Sequence, residues 1–228
     1  MTIHYHGTPI TPRVELLAMA GCHFCVSFAR PDDLDVVLRI GQSVLFDNGA
    51  FSLFKRGGGQ LDVMNYYRWL EPILQHPHWA VIPDVIDGDI GRQRVFTHTW
   101  PFWQLLGAPV WHLGLSIDWL LELSDHWPRV CLGSSGAYWE IGSPNWCARM
   151  DEAFNALSRR RIRLPWMHGL RMLGQVEGPW PLASADSTNV GQNFKRDTGC
   201  ANCKAKRIDA AQAPRTWKLI ETQSRIFE

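Results

Sequence analysis

Pro181-Leu-Ala-Ser-Ala-Asp-Ser-Thr-Asn189 is a short apolar run that ends in a carboxylate, Asp186, followed at once by small polar residues. The pattern occurs twice upstream. Ser43-Val-Leu-Phe-Asp-Asn-Gly-Ala50 carries Asp47, and Trp79-Ala-Val-Ile-Pro-Asp-Val-Ile86 carries Asp84. Short apolar runs bounded by turn-forming residues read as strands. We read these three as strand ends of one barrel, converging on one pocket.

Outward from these stretches, strands and helices alternate. Strands are predicted at residues 3–6, 23–28, 43–46, 79–82, 109–113, 129–132, 164–168 and 182–185. Helices are predicted at 13–20, 31–39, 62–74, 90–106 with a break near Pro101, 117–127, 144–160 and 208–226, the last broken at Pro214. At most a short helix is expected at 172–176, and Lys55-Arg-Gly-Gly-Gly59 reads as a ligand-hugging or flexible loop. Strict alternation implies parallel strands joined by crossover helices. Eight such units predict a compact (β/α)8 TIM barrel, one domain over residues 1–228, with 190–207 as a basic loop or a reduced zinc knuckle. An open doubly wound sheet is the other reading, but no Gly-x-Gly-x-x-Gly turn follows the first strand.

Bulk properties narrow the class. The apolar fraction of 46% supports a large core, and 20% charged residues argues against disorder. Twelve Trp serve packing first and ligand stacking second. The start of the chain lacks the basic and apolar regions of a signal peptide, and no run is long enough for a membrane span, so a cytoplasmic protein with no membrane partner is expected. The six Cys are then thiols or metal ligands rather than disulfides. Residues 159–225 hold 13 Lys/Arg against 5 Asp/Glu, leaving 10 against 17 elsewhere. A basic back suits a polyanion; an uneven solvated surface is the duller explanation.

Barrel active sites lie at the C-terminal ends of the strands. That rule selects Asp47, Asp84, His112, Gly133, Ser134, His168, Gly169 and Asp186. Three acids on one rim repel each other, a cost tolerated where they divide base and nucleophile roles or hold a hydrogen-bond-rich ligand. Turn capping is the structural alternative for Asp47 and Asp186.

These segments resemble the tRNA-guanine transglycosylase superfamily, base-exchange enzymes whose relatives include proteins placing 7-deazaguanines in phage and bacterial DNA. Asp47-Asn-Gly-Ala-Phe51 resembles the family's Asp-Ser-Gly-Gly-Phe segment, and Pro83-Asp84 its base-binding Asp. Val110-Trp-His-Leu-Gly114 stands where the family has Gln-Gly-Gly, Leu132-Gly133-Ser134 where it has Gly-Gly-Leu. Ser184-Ala-Asp186 matches its nucleophile segment. The departures are His112 for Gln, Ser134 for Gly, and Thr188-Asn-Val-Gly where the family has an Arg-rich stretch.

The resemblance implies a pentosyltransferase that replaces guanine by a preQ0-like 7-deazaguanine, in DNA rather than tRNA. Asp186 would be the covalent nucleophile and Asp47 the base. Asp84, His112, Gly133, Ser134, His168, Gly169 and Phe51 would bind substrate, with Phe51 or Tyr138 sandwiching the base. Its partners would be nucleic acid, a free 7-deazaguanine base and, as in the family, a second copy in a homodimer. The chemistry requires no cofactor. The family's zinc set is reduced here to Cys200-Ala-Asn-Cys203, so a zinc ion would need Cys200, Cys203 and partners elsewhere. Lys195, Arg196, Lys204, Lys206 and Arg207 would then form a phosphate-binding knob; a basic loop with two ordinary thiols is the alternative. Hydrolysis of the same bond, a non-catalytic base-binding barrel and a sugar-acting glycosidase are the competing functions.

Overall fold

The computed structural model describes residues 1–55, 57, 61–86, 88–160 and 163–220. All nine strands belong to one parallel sheet in the order β5-β4-β3-β2-β1-β9-β8-β7-β6. They are β1 (Ile3–Gly7), β2 (His23–Ser27), β3 (Ser43–Asp47), β4 (Trp79–Val81), β5 (Gly107–Ala108), β6 (Val110–His112), β7 (Arg129–Gly133), β8 (Trp166–Gly169) and β9 (Ser184–Ser187). The two ends of this ladder, β5 and β6, are neighbours in the chain, separated by Pro109 alone. The sheet therefore curls into a nearly closed barrel.

Eight strands were expected and nine are found among the described residues: β6 lies within the run predicted at 109–113, and the two-residue β5 precedes it, where no strand was predicted. Gly107–Ala108 pairs with β4, while Val110–His112 pairs with β7. Pro109 has no N–H to give a ladder. Its carbonyl still accepts from Cys131 N at 2.8 Å.

Alternation of side chains across each strand makes two cores. Inside the barrel, Tyr5, Cys25, Leu45, Trp79, Val81, Val110 and Cys131 pack together. Outside it, Phe24, Val44, Phe46, Trp111 and Leu132 meet the helices. The adjacent Val44, Leu45 and Phe46 are all fully buried, the mark of a strand covered on both faces. Trp79, Trp111 and Trp146 are buried to 1% or less, so much of the Trp content is packing.

Nine α-helices surround the strands among the described residues: α1 (Arg13–Leu17), α2 (Leu34–Ile40), α3 (Ala50–Lys55), α4 (Val63–Leu70), α5 (Ile90–His98), α6 (Ile117–His126), α7 (Pro144–Arg160), α8 (Asn189–Asp197) and α9 (Ala201–Asp209). In α4, Tyr66 and Leu70 turn one face inward, and the Tyr66 hydroxyl donates to Val81 O at 2.8 Å, fixing the helix to β4. The helix predicted at 90–106 ends at His98, and Pro101 lies between it and a separate 3-10 turn, Gln104–Leu106.

Three expectations are corrected. Residues 190–207, read as a basic loop or zinc knuckle, fold as α8 and most of α9. The cause is apolar spacing masked by basic residues: Val190 and Phe194 are buried four apart, as are Ala201 and Ala205. Gly199, at φ +70°, ends the first helix and reverses the chain. The helix predicted at 208–226 ends at Asp209; residues 210–220 are irregular and the remainder lies outside the described residues. Lys55, read as the start of a glycine loop, is the last residue of α3, whose other residues carried no helix prediction, and Arg56, Gly58 and Gly59 of that loop lie outside the described residues. No described helix is long and apolar enough to cross a membrane.

Candidate active site

The C-terminal rim of the barrel encloses a cavity of about 550 Å³. Asp47, Asp84 and Asp186 all line it, as do His112, Gly133, Ser134 and Phe51. Parallel register explains the convergence. Asp47 ends β3 opposite Ser27, and Asp186 in β9 lies opposite Tyr5 of β1, so both alternate into the barrel. Asp84 follows β4 by three residues, carried to the rim by Ile82 and Pro83.

Asp186 is 8% exposed and firmly held. Its Oδ1 accepts from Arg171 N at 2.9 Å and from His168 Nε2 at 3.2 Å. Oδ2 has no hydrogen-bond partner among the described residues. The proton positions follow from the chain of bonds behind it. Trp166 Nε1 only donates, and it donates to Ser184 Oγ at 2.8 Å. Burial holds the His168 imidazole below its usual value, against the pull of Asp186, so it is neutral. A neutral ring facing a carboxylate puts its one proton on Nε2, and Nδ1 then accepts the Ser184 hydroxyl at 2.8 Å.

Asp47 is perturbed in the opposite sense to an ordinary acid. Burial raises its carboxyl to about 6, and the charge of Asp186 adds to the rise, with a smaller push from Asp84. Hydrogen bonds from Ser27 and from Gly49 N, the latter at 3.1 Å, resist it. The turn-capping role considered for Asp47 is thus real, and coexists with its place in the cavity wall. Gly49 sits at φ +80°, and a Cβ there would come within 3.0 Å of the Ala29 Cβ, so this turn requires glycine.

Asp84 is fixed from two sides. Asn48 Nδ2 donates to Oδ1 at 2.7 Å, and His112 Nε2 meets Oδ2 at 2.7 Å. The remaining lone pairs can still accept from a ligand. His112 Nδ1 is buried with no hydrogen-bond partner among the described residues, and a Cβ on Gly133 would come within 2.8 Å of it. His112 therefore braces Asp84 with one nitrogen and packs against bare backbone with the other.

Other expected residues play different parts. His168 does not line the cavity; it positions Asp186 from below. Gly169 is also absent from the wall, and leaves room for Met172, whose Cβ would lie 2.8 Å from an added methyl. Ser134 spends its hydroxyl on Trp146 Nε1 at 2.8 Å. Tyr138 is not part of the cavity lining, and neither is any Trp. Phe51 is in the wall, but its ring is covered by the Arg171 guanidinium, 3.7 Å from the centroid.

Sequence reasoning missed Arg171. It bonds Asp186 through its backbone, Ser134 O through Nη2 at 2.8 Å, and Phe51 by stacking. It is also the one non-glycine with positive φ, 62°, among the described residues. Such strain costs on the order of 1–3 kcal/mol and gathers at functional sites. Its place just beyond strand β8 was the available signal. Asn48 was read only as part of a turn.

Cys200 and Cys203 lie at the start of α9, beyond α8, and do not line the cavity. The expectation that the six Cys are thiols or metal ligands rather than disulfides is corrected here: the two sulfurs are bonded to each other across three residues of a helix start, where Cys200 Sγ accepts from Cys203 N at 3.1 Å. Two such sulfurs do not supply the four donors of a tetrahedral zinc. The basic knob is also partly neutralised. Lys204 is buried in an ion pair with Asp197, which also takes Arg196 at 2.8 Å.

No family model, curated protein or solved structure matches the chain.

Proposed function

We propose that the chain is a (β/α)8 TIM-barrel enzyme that breaks and re-forms an N-glycosidic bond, exchanging guanine for a 7-deazaguanine base in nucleic acid. DNA is favoured as the acceptor. The carrying observation is the division of labour between two carboxylates in one cavity: Asp186 held with one oxygen unengaged, and Asp47 raised to about 6.

A glycosidic C–N bond breaks through an oxocarbenium-like state that a carboxylate can trap. Asp186 Oδ2 attacks C1′ while the C1′–N bond breaks, and protonated Asp47 gives its proton to the departing base. The incoming base then returns a ring N–H proton to Asp47 as its nitrogen attacks C1′ and expels Asp186. Asp84, braced by Asn48 and His112, accepts hydrogen bonds from the N–H edge of the base. A base inside a duplex would first be flipped out of the stack. The family resemblance of the rim segments supports this assignment, and the absence of Trp from the cavity favours it over a sugar-acting glycosidase.

The test is denaturing mass spectrometry of the protein incubated with DNA or RNA, with and without a preQ0-like base. A covalent adduct that disappears in Asp186→Ala is expected, with exchange only when the free base is supplied. Full activity in that variant would overturn the proposal. Base release without added 7-deazaguanine would mark a hydrolase instead.

A further inference from the structure

A second group of chemistry-bearing side chains lies outside the barrel, under α9. His4 and His6 stand two apart on β1 and so share its outer face. Tyr5 pairs with His23, and this register sets Cys22 beside His4. Asp209, the last residue of α9, closes over them. Its Oδ1 lies 3.1 Å from His6 Nε2 and 3.4 Å from His4 Nδ1. The ligand atoms of His6, Cys22 and Asp209 all fall within 4.8 Å of one another.

We propose that His6, Cys22 and Asp209, with His4 as fourth donor, form a binding site for a divalent transition metal of the zinc class. The set is two imidazoles, one sulfur and one carboxylate, a mixture that suits zinc and its neighbours rather than magnesium or calcium. Metal–ligand bonds of about 2.0–2.3 Å place tetrahedral donors about 3.3–3.8 Å apart. His6, Cys22 and Asp209, within 4.8 Å of one another, reach that with side-chain movements of about 1 Å, and His4 Nδ1 is already 3.4 Å from Asp209 Oδ1. Cys22 binds as the thiolate, its proton passing to solvent as the sulfur–metal bond forms. Thiolate and carboxylate together then balance the 2+ charge. The histidines are buried while Cys22 and Asp209 are part-exposed, which leaves a path for entry.

None of the four residues lines the cavity, so the site does not enter the bond exchange. It would instead pin the end of α9 to β1 and to the start of β2. Strand β1 pairs directly with β9, which carries Asp186.

The test uses the full chain after chelator treatment, titrated with Zn²⁺ and with Co²⁺. One equivalent should bind, Co²⁺ should show thiolate charge-transfer absorption, and the melting temperature should rise with metal. Cys22→Ser should lose the absorption and weaken binding by more than about tenfold. Asp209→Asn, at a part-exposed position, should weaken binding while folding normally by circular dichroism. The double change Cys200→Ser with Cys203→Ser should leave the metal in place. Failure to bind any metal, or a cobalt signal that survives Cys22→Ser and vanishes in the double variant, would overturn the proposal. Neither outcome bears on the reaction at Asp186.

Discussion

His168 Nε2 donates to Asp186 Oδ1 at 3.2 Å from a fully buried ring below the cavity. This bond and the Arg171 N–H together leave Oδ2 as the unengaged oxygen. His168→Phe keeps the ring and removes the donor. A hydrogen bond to a charged group is worth about 1.5–3 kcal/mol. Adduct formation should therefore slow by about 10- to 150-fold, read by single-turnover kinetics on protein shown to be folded.

Asp47 makes stability and rate depend on pH. Its folded-state value of about 6 is above the ordinary 3.8. The folded protein thus binds more protons than the unfolded chain between those values, and stability falls as pH rises from about 4 through about 6. Below that window there is no difference; above it the whole penalty, on the order of 1–3 kcal/mol, is present. Asp47→Asn should therefore melt several degrees higher than wild type at pH 7.5 and equally at pH 3.5. Exchange should be lost in that variant at both.

Arg171 separates backbone from side chain. Arg171→Gly relieves the positive φ and keeps the N–H that Asp186 uses. Its stability should match wild type or exceed it by up to about 1 kcal/mol, while activity falls through loss of the guanidinium over Phe51. Arg171→Ala should lose both stability and activity. Thermal melts beside turnover measurements distinguish the two.

Gly133 tests how closely His112 may be approached. A methyl there would lie 2.8 Å from His112 Nδ1 and 3.0 Å from Val110 Cγ1. Gly133→Ala should push the imidazole from Asp84, costing about 1–3 kcal/mol and raising KM for the free base more than it lowers kcat. A KM equal to wild type would show that His112 does not brace the base-reading acid.

The barrel strands were legible because their apolar runs are short and sharply bounded, as at Val44-Leu-Phe46. Once strands were ordered, the rule of the C-terminal rim placed all three acids without knowledge of any contact. Helices α8 and α9 were not legible, because Lys195, Arg196, Lys204 and Lys206 dilute the apolar spacing and Lys204 is itself buried. Strand β5 was hidden because Gly107-Ala108, the two residues ahead of Pro109, carries no alternation of its own. Arg171 was legible only in its place just beyond β8: its role depends on a left-handed backbone, which no side-chain pattern announces.

The junction at Pro109 has a mechanical consequence. No ladder runs between β5 and β6, so the wall has a seam there, with β4 on one side and β7 on the other. Asp84 follows β4 and His112 ends β6, so their 2.7 Å bond spans this seam like a latch. Backbone bonds from Ile82 N to Ala108 O at 2.9 Å and from Cys131 N to Pro109 O at 2.8 Å close the wall below it, so a ligand that competes for Asp84 loosens only the rim end of this junction.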